Sequence, residues 1–210
     1  MSKTEALAAL ERELAVDASL PFYGQANLVF GEGDPDAAVV FIGEAPGERE
    51  DQLKRPFVGR AGQLLDRLIE QIGWKRGDVY ITNVIKRRPP QNRDPLPAEI
   101  EAYAPYLARQ IEILNPKVIA PLGRFAMNYF LPDAKISRDQ GKVFKVGNQL
   151  VVPLYHTAAA LRSPQVLDEL TASFKRLPDI VAGTYTAVEL PPAYAPKSVK
   201  PKPPPQAKLF

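Results

Sequence analysis

Short apolar runs that alternate with amphipathic stretches constrain this chain more than any other feature. Residues 38–42 (AVVFI), 79–82 (VYIT) and 117–120 (KVIA) have the length and β-branched content of buried strands. Between the first two, Leu64, Leu65, Leu68, Ile69 and Ile72 recur at helical spacing and Gly73 ends the run, which predicts a helix over 61–72. A second helix is predicted from Pro97, tolerated in a first turn, to residue 114, and a short one between Gly123 and Pro132. Residues 143–146 and 149–154 flank Gly147-Asn148, a hairpin signal. Terminal helices are expected over 5–15, with Leu7, Leu10 and Leu14 on one face, and over 165–176. This alternation implies an α/β layered domain with a mainly parallel sheet. In such sheets ligands bind beyond the carboxyl ends of the strands.

Composition narrows the chemistry. The 210 residues include no cysteine and one histidine, His156. That excludes disulfides, thiolate nucleophiles and cysteine-ligated metals, and argues against a zinc site, so no metal or cofactor is expected. A formal net charge of +3 leaves any nucleic-acid affinity to local patches. No apolar run reaches the roughly 18 residues of a membrane span, and the start lacks a signal-peptide core, so a cytoplasmic location is expected. Near residue 182 the composition shifts, with seven prolines and four lysines between Leu190 and Phe210. The expected division is a folded domain over 1–181 and a disordered tail over 182–210.

Three polar features fall at predicted strand ends. The first is the turn GEAPGERED, residues 43–51, which has the glycines of a phosphate loop but no lysine and four acids. The others are Asn83 and His156. A planar heterocycle among these strand ends could stack on Phe57. The amide of Asn83, with one donor and one acceptor, complements the O4/N3–H edge of uracil and opposes that of cytosine. His156 could donate to the O2 side, where charge develops as the base leaves, while turn carboxylates position water. Taken singly, each has an ordinary structural reading: Phe57 as core, Asn83 as a turn or cap residue, His156 as a structural histidine, the acids as a helix N-terminus. The basic stretch KRRPPQNR, residues 86–93, reads by default as a solvated surface.

Four ordered segments, GEAPGERED, RPFVGRAGQLLD, ITNVIKRRPPQNRDP and LYHTAAALR, resemble the motifs of family 4 uracil-DNA glycosylases over roughly residues 28–177. The resemblance implies a three-layer α/β/α fold with a mainly parallel central sheet, and hydrolysis of the N-glycosidic bond of deoxyuridine in DNA. It also implies uracil contacts by Glu44, Ala45, Pro46, Phe57, Asn83 and His156. The related family 1 enzymes carry an aspartate where this chain has Ala45, so the catalytic carboxylate is expected to be Glu50 or, second, Glu44, acting with His156. Leu161 and Arg162 are the candidates for filling the gap left by a flipped base and holding phosphate. Lys86, Arg88 and Arg93 are expected to contact DNA phosphates. The partner is uracil-containing DNA and the protein is expected to be a monomer; the competing reading is a catalytically weak uracil or DNA sensor that keeps the pocket.

Two departures from the family pattern stand out. His156-Thr157 replaces the usual His-Pro. The four cysteines that hold an iron–sulphur cluster in family 4 align with Ala15, Ala18, Arg87 and Tyr103, so no cysteine-ligated cluster is possible. The expectation is a packed junction in its place, with Tyr103 over Ala15 and Ala18 and Arg87 reaching an acid such as Asp17. Finally, Gln206, Leu209 and Phe210 form a Q-x-x-L-F ending like the peptides by which bacterial repair proteins bind the sliding clamp, carried on a proline-rich tether.

Overall fold

In the computed structural model, residues 1–188 are described. The first helix, α1 (Lys3–Val16), starts at a reciprocal cap: the Glu5 N–H donates to Ser2 Oγ and the Ser2 N–H to Glu5 Oε2. Strand β2 (Val39–Gly43) is buried along its whole length, as a central parallel strand must be. It is paired in parallel with β3 (Tyr80–Asn83) on one side and β4 (Val118–Pro121) on the other. The short β1 (Glu32–Gly33) adds antiparallel to β3. Beyond β4 lie β6 (Gln149–Val151), its hairpin partner β5 (Val143–Val146), and β7 (Ala187–Val188), parallel to β5. The sheet order among the described residues is β1-β3-β2-β4-β6-β5-β7.

Alternation along β2 divides the core in two. Val40 and Ile42 pack with α1, α4 (Pro97–Leu114) and α5 (Arg124–Phe130) on one face. Val39 and Phe41 pack with α3 (Arg60–Gln71), α8 (Pro164–Lys175) and α9 (Leu177–Ala182) on the other. The result is the expected three-layer sandwich. Among the described residues no helix is long and apolar enough to cross a membrane.

Several elements refine or extend the sequence reading. The acids of GEAPGERED are in part a helix N-terminus: α2 (Glu48–Leu53) begins inside that segment, with Glu48, Glu50 and Asp51 in its first turn. A further short helix, α7 (Thr157–Ala160), starts right after His156. The folded part also runs past residue 181, because α9 continues to Ala182 and β7 pairs Ala187 with Val143 at the sheet edge. A two-residue strand carries too little periodicity to be read from sequence. The expected tail beyond it, with the Gln206–Phe210 peptide, lies outside the described residues.

Candidate active site

The parallel register brings Gly43, the last residue of β2, level with Asn83, the last of β3. A side chain at Gly43 would displace its neighbours: its Cβ would lie 2.4 Å from Asn83 Oδ1 and 2.5 Å from Phe57 Cζ. The bare backbone at this position lets the Asn83 amide and the Phe57 ring close in on the same strand end. Opposite them, Leu154 bridges to Leu122 and the chain passes on to His156, whose ring centroid is 5.8 Å from that of Phe57. Together with Glu44, Ala45, Pro46, Glu50 and Arg162, these residues line a cavity of about 420 Å³. The strand-end residues singled out from sequence therefore converge.

Each polar group has a defined state. Asn83 is 1% exposed, and its Oδ1 has no hydrogen-bond partner among the described residues. A buried acceptor left open is costly, on the order of 1–3 kcal/mol, unless something else satisfies it. The Nδ1 of His156 accepts the N–H of Ala158 at 3.1 Å as the cap of α7, so the neutral ring carries its proton on Nε2. Burial lowers the pKa of this imidazole to about 4, with the Glu50 carboxylate acting against the shift. Near neutral pH His156 is thus an uncharged N–H donor. Thr157 occupies the first helical position after that cap, where proline also fits, so the departure from His-Pro leaves the helix start intact.

The two carboxylates differ. Glu50 Oε1 accepts the N–H groups of Val58 (2.9 Å) and Gly59 (2.6 Å), the turn leading into α3. It caps a helix whose own cap residue, Gly59, has no side chain. Glu44 is half-buried, and its pKa rises to about 7, chiefly by desolvation and then by the negative charge of Asp94, with Arg124 opposing. Asp94, paired with Arg124, and Asn92 also line the cavity, and neither had been singled out from sequence. Their signal lay within the quoted segment ITNVIKRRPPQNRDP, hidden by its positive charges.

The basic stretch is not uniform. Lys86 is fully buried, donating to Thr82 Oγ1 (2.6 Å) and Gln110 Oε1 (2.5 Å), and burial drives its pKa well below the usual lysine value. The expectation that Lys86 contacts DNA phosphate is therefore corrected: its ammonium site faces the core. Arg88 donates to Asn92 Oδ1, and the exposed Arg93 forks onto Glu99. Leu161, 38% exposed, and the exposed Arg162 follow α7, and of the two Arg162 lines the cavity.

A sequence model described as the uracil DNA glycosylase superfamily matches residues 30–177. A type-4 uracil-DNA glycosylase of Archaeoglobus fulgidus is 47% identical over 163 residues, covering 73% of this chain and 82% of the relative. The chain belongs to the type-4 uracil-DNA glycosylase family. A type-4 relative from Thermotoga maritima is 46% identical over 140 residues (65% of this chain, 73% of the relative). A type-5 uracil-DNA glycosylase of Thermus thermophilus is more distant, at 33% over 138 residues (57% and 63%).

The positions that align with type-4 cluster ligands do not fit an iron–sulphur cluster. Tyr103 is fully buried and donates its hydroxyl to the Pro21 carbonyl at 2.6 Å. Arg87 donates to the carbonyls of Leu14 and Ala15 at the end of α1 and to the Tyr103 hydroxyl, with its guanidinium 5.3 Å from the Tyr23 ring. A cation and a phenol thus occupy the space, offering no thiolate. The junction differs from the expected one in detail: Ala15 and Ala18 are exposed, and Asp17 accepts from Tyr106 at 2.8 Å.

Proposed function

We propose that this chain releases uracil from DNA by hydrolysing the N-glycosidic bond of deoxyuridine, with the base flipped into the cavity at the ends of β2 and β3. The carrying observation is the open Asn83 Oδ1 beside the Phe57 ring. Uracil satisfies it by donating N3–H, and its O4 can accept from the Asn83 amide nitrogen. Cytosine presents an acceptor at N3, leaving the oxygen still unpaired. Such a mismatch in a buried site can be discriminated strongly.

As the bond between N1 and C1′ breaks, its electron pair passes to the base and charge gathers on O2. The neutral His156, with its Nε2 proton, is suited to meet that charge. Water adds to C1′ and gives up a proton; the uracil anion is protonated after release. For the water we favour Glu44, whose pKa of about 7 suits a base near neutral pH. Glu50 was the first choice from sequence, but one of its oxygens is committed to the turn that carries Phe57. Its charge still faces the site. Arg88, Arg93, Leu161 and Arg162 remain the proposed DNA contacts, through phosphates and the vacated stack.

The test is single-turnover release of uracil from a uracil-containing oligonucleotide, read as alkali-labile strand breaks. Asn83→Asp should slow release by at least tenfold, since a carboxylate cannot donate to O4 and repels the departing anion. Unchanged kinetics would remove Asn83 from the pocket. Tight uracil-DNA binding with no breaks from the unaltered chain would favour the sensor reading. We further propose that Gln206, Leu209 and Phe210 dock on a sliding clamp, supported by the motif and its proline-rich tether.

A further inference from the structure

Phe57 holds an unusual backbone conformation. Its φ is +50°, in the left-handed region that a bulky residue seldom occupies. Such a conformation costs of the order of a hydrogen bond and persists only where surroundings enforce it. Two sets of contacts do so. From one side, Glu50 accepts the N–H groups of Val58 and Gly59. From the other, Arg76, in a 3-10 turn ahead of β3, donates Nη2 to the Pro56 carbonyl (2.5 Å) and Nη1 to the Phe57 carbonyl (3.2 Å).

The guanidinium is itself fixed. Its Nε and Nη2 reach Glu32 Oε1 at 2.8 and 2.7 Å, and Nη1 reaches Asp66 Oδ1 at 2.6 Å. Glu32 is shared with Arg55, so two cations and two carboxylates form a closed, balanced group. Gly62 completes the seat: a Cβ there would fall 1.9 Å from the Phe57 carbonyl oxygen, so α3 packs directly against the peptide that Arg76 holds. Everything about this arrangement acts on the backbone that aims the Phe57 ring over Gly43. Arg76, Glu32, Asp66, Arg55 and Gly62 are not among the residues that line the cavity.

We infer that Arg76 is a positioning residue for uracil: it holds the Pro56-Phe57 backbone in the strained turn that presents the Phe57 ring to the base. Only a planar fork can span two successive carbonyls and two carboxylates at once. Lysine keeps the charge but cannot make that pattern. The inference rests on the proposed stacking role of Phe57, and the experiment separates the two.

Arg76→Lys, Arg76→Gln, Phe57→Ala and the double variant Phe57→Ala/Arg76→Gln are compared in the full chain. The readouts are single-turnover excision, affinity for an abasic duplex, and inhibition by free uracil. Phe57→Ala should slow excision at least tenfold and weaken uracil inhibition. Arg76→Gln and Arg76→Lys should do likewise, with abasic-duplex affinity within twofold. In the Phe57→Ala background, Arg76→Gln should cost less than twofold more, because the ring it aims is gone. Should Arg76→Gln fail to fold, Arg76→Lys carries the test alone, and full activity and uracil inhibition in it would overturn the inference. Additive losses in the double variant would also overturn it. Normal excision by Phe57→Ala would instead refute the stacking role itself.

Discussion

Replacing Glu44 with glutamine should make the protein more stable and less active, and the pH dependence of each effect follows from the same carboxyl group. Its pKa is about 7 in the folded protein against 4.5 for the free side chain. The folded state therefore binds this proton more tightly than the unfolded chain. The usual carboxylate case is reversed: the contribution is fully favourable below about pH 4.5 and is lost as pH rises to about 7. At roughly 1.4 kcal/mol per pH unit, the ceiling on that loss is about 3.4 kcal/mol. Glu44 is only half-buried, so solvent screening reduces the figure to about 1–2 kcal/mol. Glutamine has the same shape and no charge to desolvate. At pH 8 Glu44→Gln should thus raise the melting temperature by roughly 2–8 °C for a chain of this size, and at pH 4.5 or below it should change little. Excision should fall by about 100-fold or more at pH 8, and the rise of the wild-type rate through pH 7 should vanish. Thermal melts and single-turnover rates from pH 4.5 to 8.5 test both halves. An equal stability gain at both ends of the range would mean packing rather than ionisation. Undiminished excision would remove Glu44 from the water.

Other outcomes follow from the same contacts. Tyr103→Phe should destabilise by about 1 kcal/mol, having lost the bond to the Pro21 carbonyl, and Tyr103→Ala by about 3–5 kcal/mol through the buried volume it empties, both read in urea melts. A Tyr103→Ala variant as stable as the parent would show that this side chain does not hold the junction. Charge reversal at Arg88 and Arg162 should flatten the salt dependence of DNA affinity by about two phosphate contacts, whereas Lys86→Gln should leave the slope as it is. A reduced slope in Lys86→Gln would place that side chain at the DNA after all. Deleting residues 206–210 should abolish clamp binding in a titration while excision from short oligonucleotides stays unchanged; clamp binding that survives the deletion would locate the contact elsewhere.

What could be read from the residues, and what could not, divides by the range of the interactions involved. The buried strands were legible because β2 is apolar throughout, and α4 because a proline, tolerated in a first turn, opens it. Asn83 and His156 could be expected to converge because they fall at predicted strand ends, which a parallel sheet brings to one edge, whereas Phe57 lies on a loop and was offered only as a ring that could stack there. Lys86 was misread because residue type outweighed position. Four basic residues fall between 86 and 93, yet at Lys86 the chain still runs through the interior, between the buried Ile85 and Arg87, and its carbonyl accepts the N–H of Val29. The amine turns inward to partners at 82 and 110, and the acceptor at 110 is visible only once α4 lies across the sheet. Glu50 was found for its carboxylate, but its grip on Val58 and Gly59 depends on a helix cap eight and nine residues away that lacks a side chain of its own. Arg76 left no local trace at all. Its four partners come from β1, the Phe57 turn and α3, so its role exists only in the assembled fold. In this chain the groups proposed to touch uracil lie in compact motifs, while those that aim them are scattered. The residues most readily missed are therefore the ones that set the geometry of those already found.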